Sequence, residues 1–201
     1  MKRTILLFFF LFFLNTLKAQ HREIIIFFND STSLEGFGEV RKNKIYFQLE
    51  QNDKLSELDH LSVRAIHFVG YGFIEKYEYV KSDKYNKPKI MELLEEGNVN
   101  LYAFSEIVTK IYLPDINFPN NPNAFPAPVY KTGLQVEYFI KRPNEDVATD
   151  IVFSFKRRAI RYFSDCPELI EKINNKTFTS ANIPEIVTFY NDYCNDELLR
   201  D

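Results

Sequence analysis

From Gln20 to about Ile140 the apolar residues come in short β-branched and aromatic runs, cut at close intervals by turn residues. This spacing constrains the fold more than any other feature, because a strand needs four to eight such residues and a helix needs more. Residues 23–29, 45–49, 63–69, 73–80, 90–94, 99–104 and 133–141 all read this way, and residues 106–112 continue the pattern. In 45–49 the alternation is plain: Ile45, Phe47 and Leu49 set against Tyr46 and Gln48, which gives a strand one buried and one wetter face. The breaks carry turn chemistry. Asp30-Ser31-Thr32-Ser33 is polar, Arg41-Lys42-Asn43-Lys44 predicts a hairpin, Gly70-Tyr71-Gly72 a tight turn, and Gly97-Asn98 a turn with positive φ.

The period changes after residue 154. Phe155, Ala159, Ile160 and Phe163 recur at helical spacing. Pro167-Glu168 predicts the first turn of a second helix, capped by Ser164 or Asp165. Pro184-Glu185 predicts that of a third, capped by Ser180 or Asn182. The expected fold class is therefore α+β: an antiparallel roll, sandwich or partly open barrel over residues 20–154, followed by two to three helices over 155–201 packed on it. One stretch belongs to neither pattern. Residues 113–129 hold Pro114, Pro119, Pro122, Pro126 and Pro128 with several asparagines, which excludes a central strand. Loops of this length are commonly functional, and Phe118 and Phe125 punctuate this one.

Residues 1–19 read as a cleavable export signal: Lys2 and Arg3, an apolar run of ten from Ile5 to Leu14, a polar break, then Ala19 before the cut. The run falls short of the roughly 20 residues of a membrane span. No later run reaches that length, so no transmembrane segment is expected in the mature chain. Cleavage removes Lys2, Arg3 and Lys18 and no acid, taking the net charge from −3 to −6. An acidic chain lacks the basic footprint of a nucleic-acid binder. Cys166 and Cys194 are the only cysteines, and in an oxidising compartment such a pair reads as one disulfide, worth on the order of 3 kcal/mol.

The stretch Tyr162-Phe163-Ser164-Asp165-Cys166-Pro167-Glu168-Leu169, with Ile186-Val187-Thr188-Phe189-Tyr190-Asn191, resembles uncharacterised exported proteins of Bacteroidota. So does Leu93-Leu94-Glu95-Glu96-Gly97-Asn98-Val99-Asn100-Leu101-Tyr102. The likeness implies a periplasmic or secreted location and carries no activity with it.

Chemistry-bearing motifs are missing from the sequence: no phosphate loop, no Gly-x-Ser-x-Gly, no His-Glu-x-x-His and no Cys-x-x-Cys. No catalytic, cofactor-binding or metal-ligating residue is therefore assigned, and no cofactor is expected. His60 and His67 read as structural, and Lys156, Arg157, Arg158 and Arg161 as a solvated helix face. The aromatic residues Tyr71, Phe73, Tyr77 and Tyr79 occupy alternate positions and, with Phe118 and Phe125, form the candidate interaction surface. The expectation is a non-enzymatic binding module of the cell envelope, with an envelope protein or polymer as partner. The alternative is an envelope-polymer hydrolase using Asp115 and Asp150.

Overall fold

The computed structural model describes residues 21–70, 72–112 and 127–194. The expected signal (1–19), Tyr71, Asp115, Phe118, Phe125 and most of the proline-rich stretch lie outside the described residues. The chain divides into two compact units, residues 1–75 and 76–201. The boundary falls inside the strand-rich part, and residues 155–201 belong with the second unit. The architecture is α+β: ten strands with antiparallel neighbours in open order, followed by helices.

In the first unit the strands are β1 (Arg22–Phe28), β2 (Ser33–Arg41), β3 (Lys44–Gln48), β4 (Ser56–Leu58) and β5 (Val63–Val69), in spatial order β5-β1-β2-β3-β4. Ile24 lies opposite Phe68 and Ile26 opposite Ile66, so their side chains share one buried face. The predicted hairpin forms at 41–44, with Lys42 (φ 48°) and Asn43 (φ 65°) both left-handed, the geometry that matches strand twist. Asp30 closes the first turn by accepting from the Thr32 amide at 2.9 Å and its hydroxyl at 2.6 Å. At the Gly70 turn the Gly70 amide donates to the Phe73 carbonyl at 3.1 Å, and Gly72 takes φ +86°, which a side chain would resist. The charged and polar stretch 51–61 contains the three-residue strand β4, too short for periodicity to register.

The second unit has β6 (Ile74–Val80), which begins at the boundary, β7 (Lys89–Glu95), β8 (Asn100–Tyr112), β9 (Val129–Lys141) and β10 (Thr149–Asp150), in order β10-β9-β8-β7-β6. The runs at 99–104 and 106–112 are one strand of 13 residues. It pairs with β9 without a break from Asn100–Lys141 to Tyr112–Val129.

Helices α1 (Phe155–Tyr162), α2 (Pro167–Asn174) and α3 (Ile183–Tyr193) follow, with a short 3-10 turn at Ser180–Asn182. They bury Ala159, Phe163, Leu169, Ile173, Ile186, Val187 and Tyr190 against Leu101 and Ile140 of the sheet and Val99 and Ile151 beside it. Each such large side chain contributes about 1.5–3 kcal/mol on leaving water. Pro167 and Pro184 open α2 and α3 with Glu168 and Glu185 in the first turns, as the sequence predicts.

The capping residue of α2 differs from expectation. Cys166 holds the cap position of α2 and makes no capping bond, because Asp165 turns away to Arg142 and Tyr190. Ahead of α3, Asn182 holds the cap position, one of the two expected, without a capping bond to the helix; its side chain and Thr179 cap the 3-10 turn reciprocally, and Ser180 lies inside that turn. Cys166 and Cys194 are bonded, with Cα atoms 5.4 Å apart, tying the start of α2 to the end of α3.

A second correction concerns Gly97. It does not adopt positive φ; Gly72 is the one glycine that does among the described residues. Gly97 is needed for close approach, since a Cβ there would lie 2.6 Å from Asn191 Nδ2. That amide is held fast: the Val99 N–H donates to Asn191 Oδ1 at 2.9 Å. Asn191 Nδ2 donates to the Val99 carbonyl at 3.0 Å and to Glu95 Oε1 at 2.7 Å. Thr188 donates to the other Glu95 oxygen at 2.6 Å. The β7–β8 turn is thereby clamped to α3.

Candidate functional site

The β8–β9 ladder outruns its neighbours. Its pairing with β7 ends at Ala103, and that with β10 covers only Phe139 and Ile140. Beyond those points the two strands pair, among the described residues, with each other alone, forming a ribbon whose far ends are joined in sequence by residues 113–128. Odd positions of β8 share one face with the even positions of β9 opposite them: Leu101 with Ile140, Ala103 with Tyr138, Ser105 with Val136, Ile107 with Leu134, Ile111 with Tyr130.

At the base of the ribbon this face is the one the helices cover, and Leu101 and Ile140 are buried there. Outward, the same face stays apolar and loses its cover. Ile107 is 77% exposed, Leu134 69%, Tyr130 63%, Ile111 60% and Val136 42%. Between the two apolar pairs sits Thr109 against Thr132, their hydroxyls 2.9 Å apart. Side chains of roughly 150–200 Å² exposed to this degree present on the order of 500 Å², the upper range of the largest apolar patch on a typical monomer. The opposite face of the ribbon is mixed, with Glu106, Lys110 and Lys131, the last lying over the Tyr112 ring at 5.1 Å.

At the base of the second unit two polar clusters complete the corner made by β9, β10 and α1. In one, Asp150 is buried and its Oδ1 accepts from the Val152 and Phe153 amides at 3.0 and 3.3 Å. Its own amide donates to Asp83 Oδ1 at 2.8 Å, and Arg158 bonds both Asp83 and the Asp150 carbonyl. Beside it Lys84 pairs with Glu137 at 2.6 Å, and the Tyr85 hydroxyl donates to Glu137 at 2.6 Å. Burial pushes the Glu137 carboxyl up, but hydrogen bonds from Lys84, Tyr85 and Gln135 outweigh it and hold the group below the usual glutamate range. The same site raises the Tyr85 hydroxyl, first through burial and then through the bond to Glu137.

In the other cluster Arg142 donates to the Tyr162 carbonyl (3.0 Å), Asp165 (3.0 Å) and the Tyr190 hydroxyl (3.1 Å), and stacks over the Tyr162 ring at 4.6 Å. Tyr162 donates to Glu145 at 2.7 Å, and its hydroxyl is raised by burial first and by that carboxylate second. Among the described residues every buried side-chain nitrogen and oxygen has a partner. Fully satisfied networks of this kind rigidify the corner they occupy.

The residues singled out from the sequence fall as follows. Tyr77 and Tyr79 share one face of β6 opposite Glu92 and Ile90, and both are half-buried with partners. Phe73 is exposed in the first unit, lining a groove of about 600 Å³ with His21, Phe37 and Val69. Asp150 accepts from the turn after β10 through Oδ1, lies 3.8 Å from Lys84 through Oδ2, and borders a groove with Glu137, while Asp115 lies outside the described residues. Of the basic cluster, Arg158 is an internal strut, whereas Lys156, Arg157 and Arg161 are exposed. His67 stacks on Phe27 with ring centres 4.5 Å apart. No group of three metal-ligating side chains occurs among the described residues.

Sequence reasoning passed over Arg142, Glu137, Ile107 and Leu134. The available signal for the last two was that residues 106–112 and 129–136 alternate in phase around a proline-rich linker. Among the described residues no helix is long and apolar enough to cross a membrane. No family model, no curated protein and no solved structure matches the chain.

Proposed function

We propose that this chain is an exported, non-enzymatic interaction module that holds a protein of the cell envelope on the β8–β9 ribbon. The observation that carries the reading is the exposed half of the helix-side face: Ile107, Ile111, Tyr130 and Leu134 continue an intramolecular apolar interface that no helix covers among the described residues. The ribbon's outer edges are also unpaired by neighbouring strands of the second unit, so an extended partner segment can add a strand and lay alternate apolar side chains on that face. The export signal read in residues 1–19 and the Cys166–Cys194 bond favour an oxidising compartment.

Substitution tests the reading. Ile107→Lys with Leu134→Lys places two charges on the apolar face and leaves the core untouched. The expected result is loss of at least 10-fold in affinity for the partner recovered from the envelope fraction, with the urea midpoint unchanged. Retained affinity would place the partner elsewhere, and recovery of a polysaccharide in place of a protein would replace the proposed partner class.

A further inference from the structure

We infer that the second unit carries a binding groove for an oxyanionic group (phosphate, sulfate or carboxylate), with Arg157 and Arg161 as its recognition residues. This site is separate from the ribbon surface. The groove has a volume of about 780 Å³ and is lined by α1 together with the segments around Arg142 and Asp165. That volume lies within the range of small-molecule sites, about 300–1,000 Å³.

Its acids are already spent. Asp83 is bonded to Arg158 and to the Asp150 amide. Glu145 accepts from the Arg142 amide at 2.9 Å and from Tyr162 at 2.7 Å. Asp165 accepts from Arg142 and from Tyr190 at 2.7 Å. Two of the four arginines, Arg142 and Arg158, are consumed in these pairs. The other two, Arg157 and Arg161, are exposed, stand one turn apart on α1, and make no side-chain ion pair or hydrogen bond among the described residues. The hydroxyl-bearing Thr149 and Ser164 line the same groove.

Two like charges at i and i+4 repel weakly, which an anion between them reverses. Planar guanidinium groups take such oxygens in pairs, with charge-assisted bonds stronger than neutral ones. The groove thus has two unspent cations in a chain whose overall charge is negative. The solvated face expected for this helix is in this respect half right: Lys156 is solvated, Arg158 is structural, and Arg157 and Arg161 face a cleft.

Calorimetric titration of the purified protein tests this, with inorganic phosphate, glucose 1-phosphate and dextran sulfate as probes. Saturable binding of at least one is expected. Arg157→Gln with Arg161→Gln should weaken it by about 10-fold or more, from the loss of two charge-assisted contacts. Lys156→Gln, on the same helix but outside the groove, should change it less than twofold, and Arg161→Lys should keep part of the affinity. Equal binding of inorganic phosphate and glucose 1-phosphate would identify a free ion as the ligand. Preference for dextran sulfate that survives at moderate salt would identify a polymer-borne group. No saturation with any probe at millimolar concentration overturns the inference, as does an equal loss with Lys156→Gln, which would show diffuse attraction only.

Discussion

The clamp between the β7–β8 turn and α3 makes a prediction whose sign is unusual. Gly97→Ala adds a Cβ 2.6 Å from Asn191 Nδ2 and 2.7 Å from its Cγ, and the amide has no freedom to retreat, because three hydrogen bonds hold it. Overpacking of this kind costs about 1–3 kcal/mol. Asn191→Ala removes the amide and leaves the N–H and carbonyl of the fully buried Val99 without partners, while Glu95 keeps Thr188. Unsatisfied buried groups cost about 1–3 kcal/mol each, so about 3 kcal/mol is expected in total.

In the double variant the added methyl meets no amide. Gly97 does not require positive φ, so alanine then restricts only the unfolded chain and stabilises by about 0.4–1 kcal/mol. Gly97→Ala should therefore destabilise the native protein and be neutral or stabilising in the Asn191→Ala background, with a coupling energy of about 2 kcal/mol. Urea titrations of the four proteins measure this. Additive effects, with Gly97→Ala costing the same in both backgrounds, would refute the reasoning and show that the glycine is needed for its backbone alone.

Three other outcomes follow from the same structure. Replacing both Cys166 and Cys194 by Ala should lower the unfolding free energy by roughly 3.5 kcal/mol, given the separation of 28 residues; a loss under about 1 kcal/mol in a urea titration would contradict the tie. Glu137 is held below its ordinary value of 4.5, so it contributes stability that is complete above that pH and lost as pH falls through the lower, folded value. Glu137→Gln should flatten the fall in stability below pH 4.5, and an unchanged acid slope would show that Lys84 and Tyr85 do not stabilise the carboxylate. Lys84→Met leaves Glu137 half-buried with neutral donors only, and should raise its titration midpoint as followed by carboxyl NMR shifts.

Local signals were legible and long-range ones were not. The hairpin at 41–44, the Gly70 turn and the proline-led starts of α2 and α3 depend on residues close together, and the cysteine pairing on there being only two cysteines in the sequence. The α+β class followed from periodicity. The Asn191 clamp joins residues more than 90 positions apart, and Arg142 meets Tyr190 across 48, so neither leaves a pattern in the linear chain. For the same reason Asp165 looks like a helix cap until Arg142 and Tyr190 compete for it.

The stretches 93–102 and 162–191 meet in this clamp and in the Arg142 cluster, since Glu95, Gly97 and Val99 lie against Thr188 and Asn191. Their residues hold helices to sheet. The ribbon was missed for a different reason. Ile107, Thr109 and Ile111 alternate like any half-buried strand, and only the arrangement of β7, β10 and the helices shows that their face is left bare.

The central claim is that the helix-side face of the ribbon receives a protein partner. Site-specific photo-crosslinking in the native envelope tests it most directly, with the photoreactive residue placed in turn at Leu134 and Ile107 on that face and at Lys131 and Lys110 on the other. The account predicts one protein crosslinked from 134 and 107 and only background from 131 and 110. Equal labelling from both faces, or none from 134 and 107 while Phe73 or Tyr77 captures a partner, would contradict it.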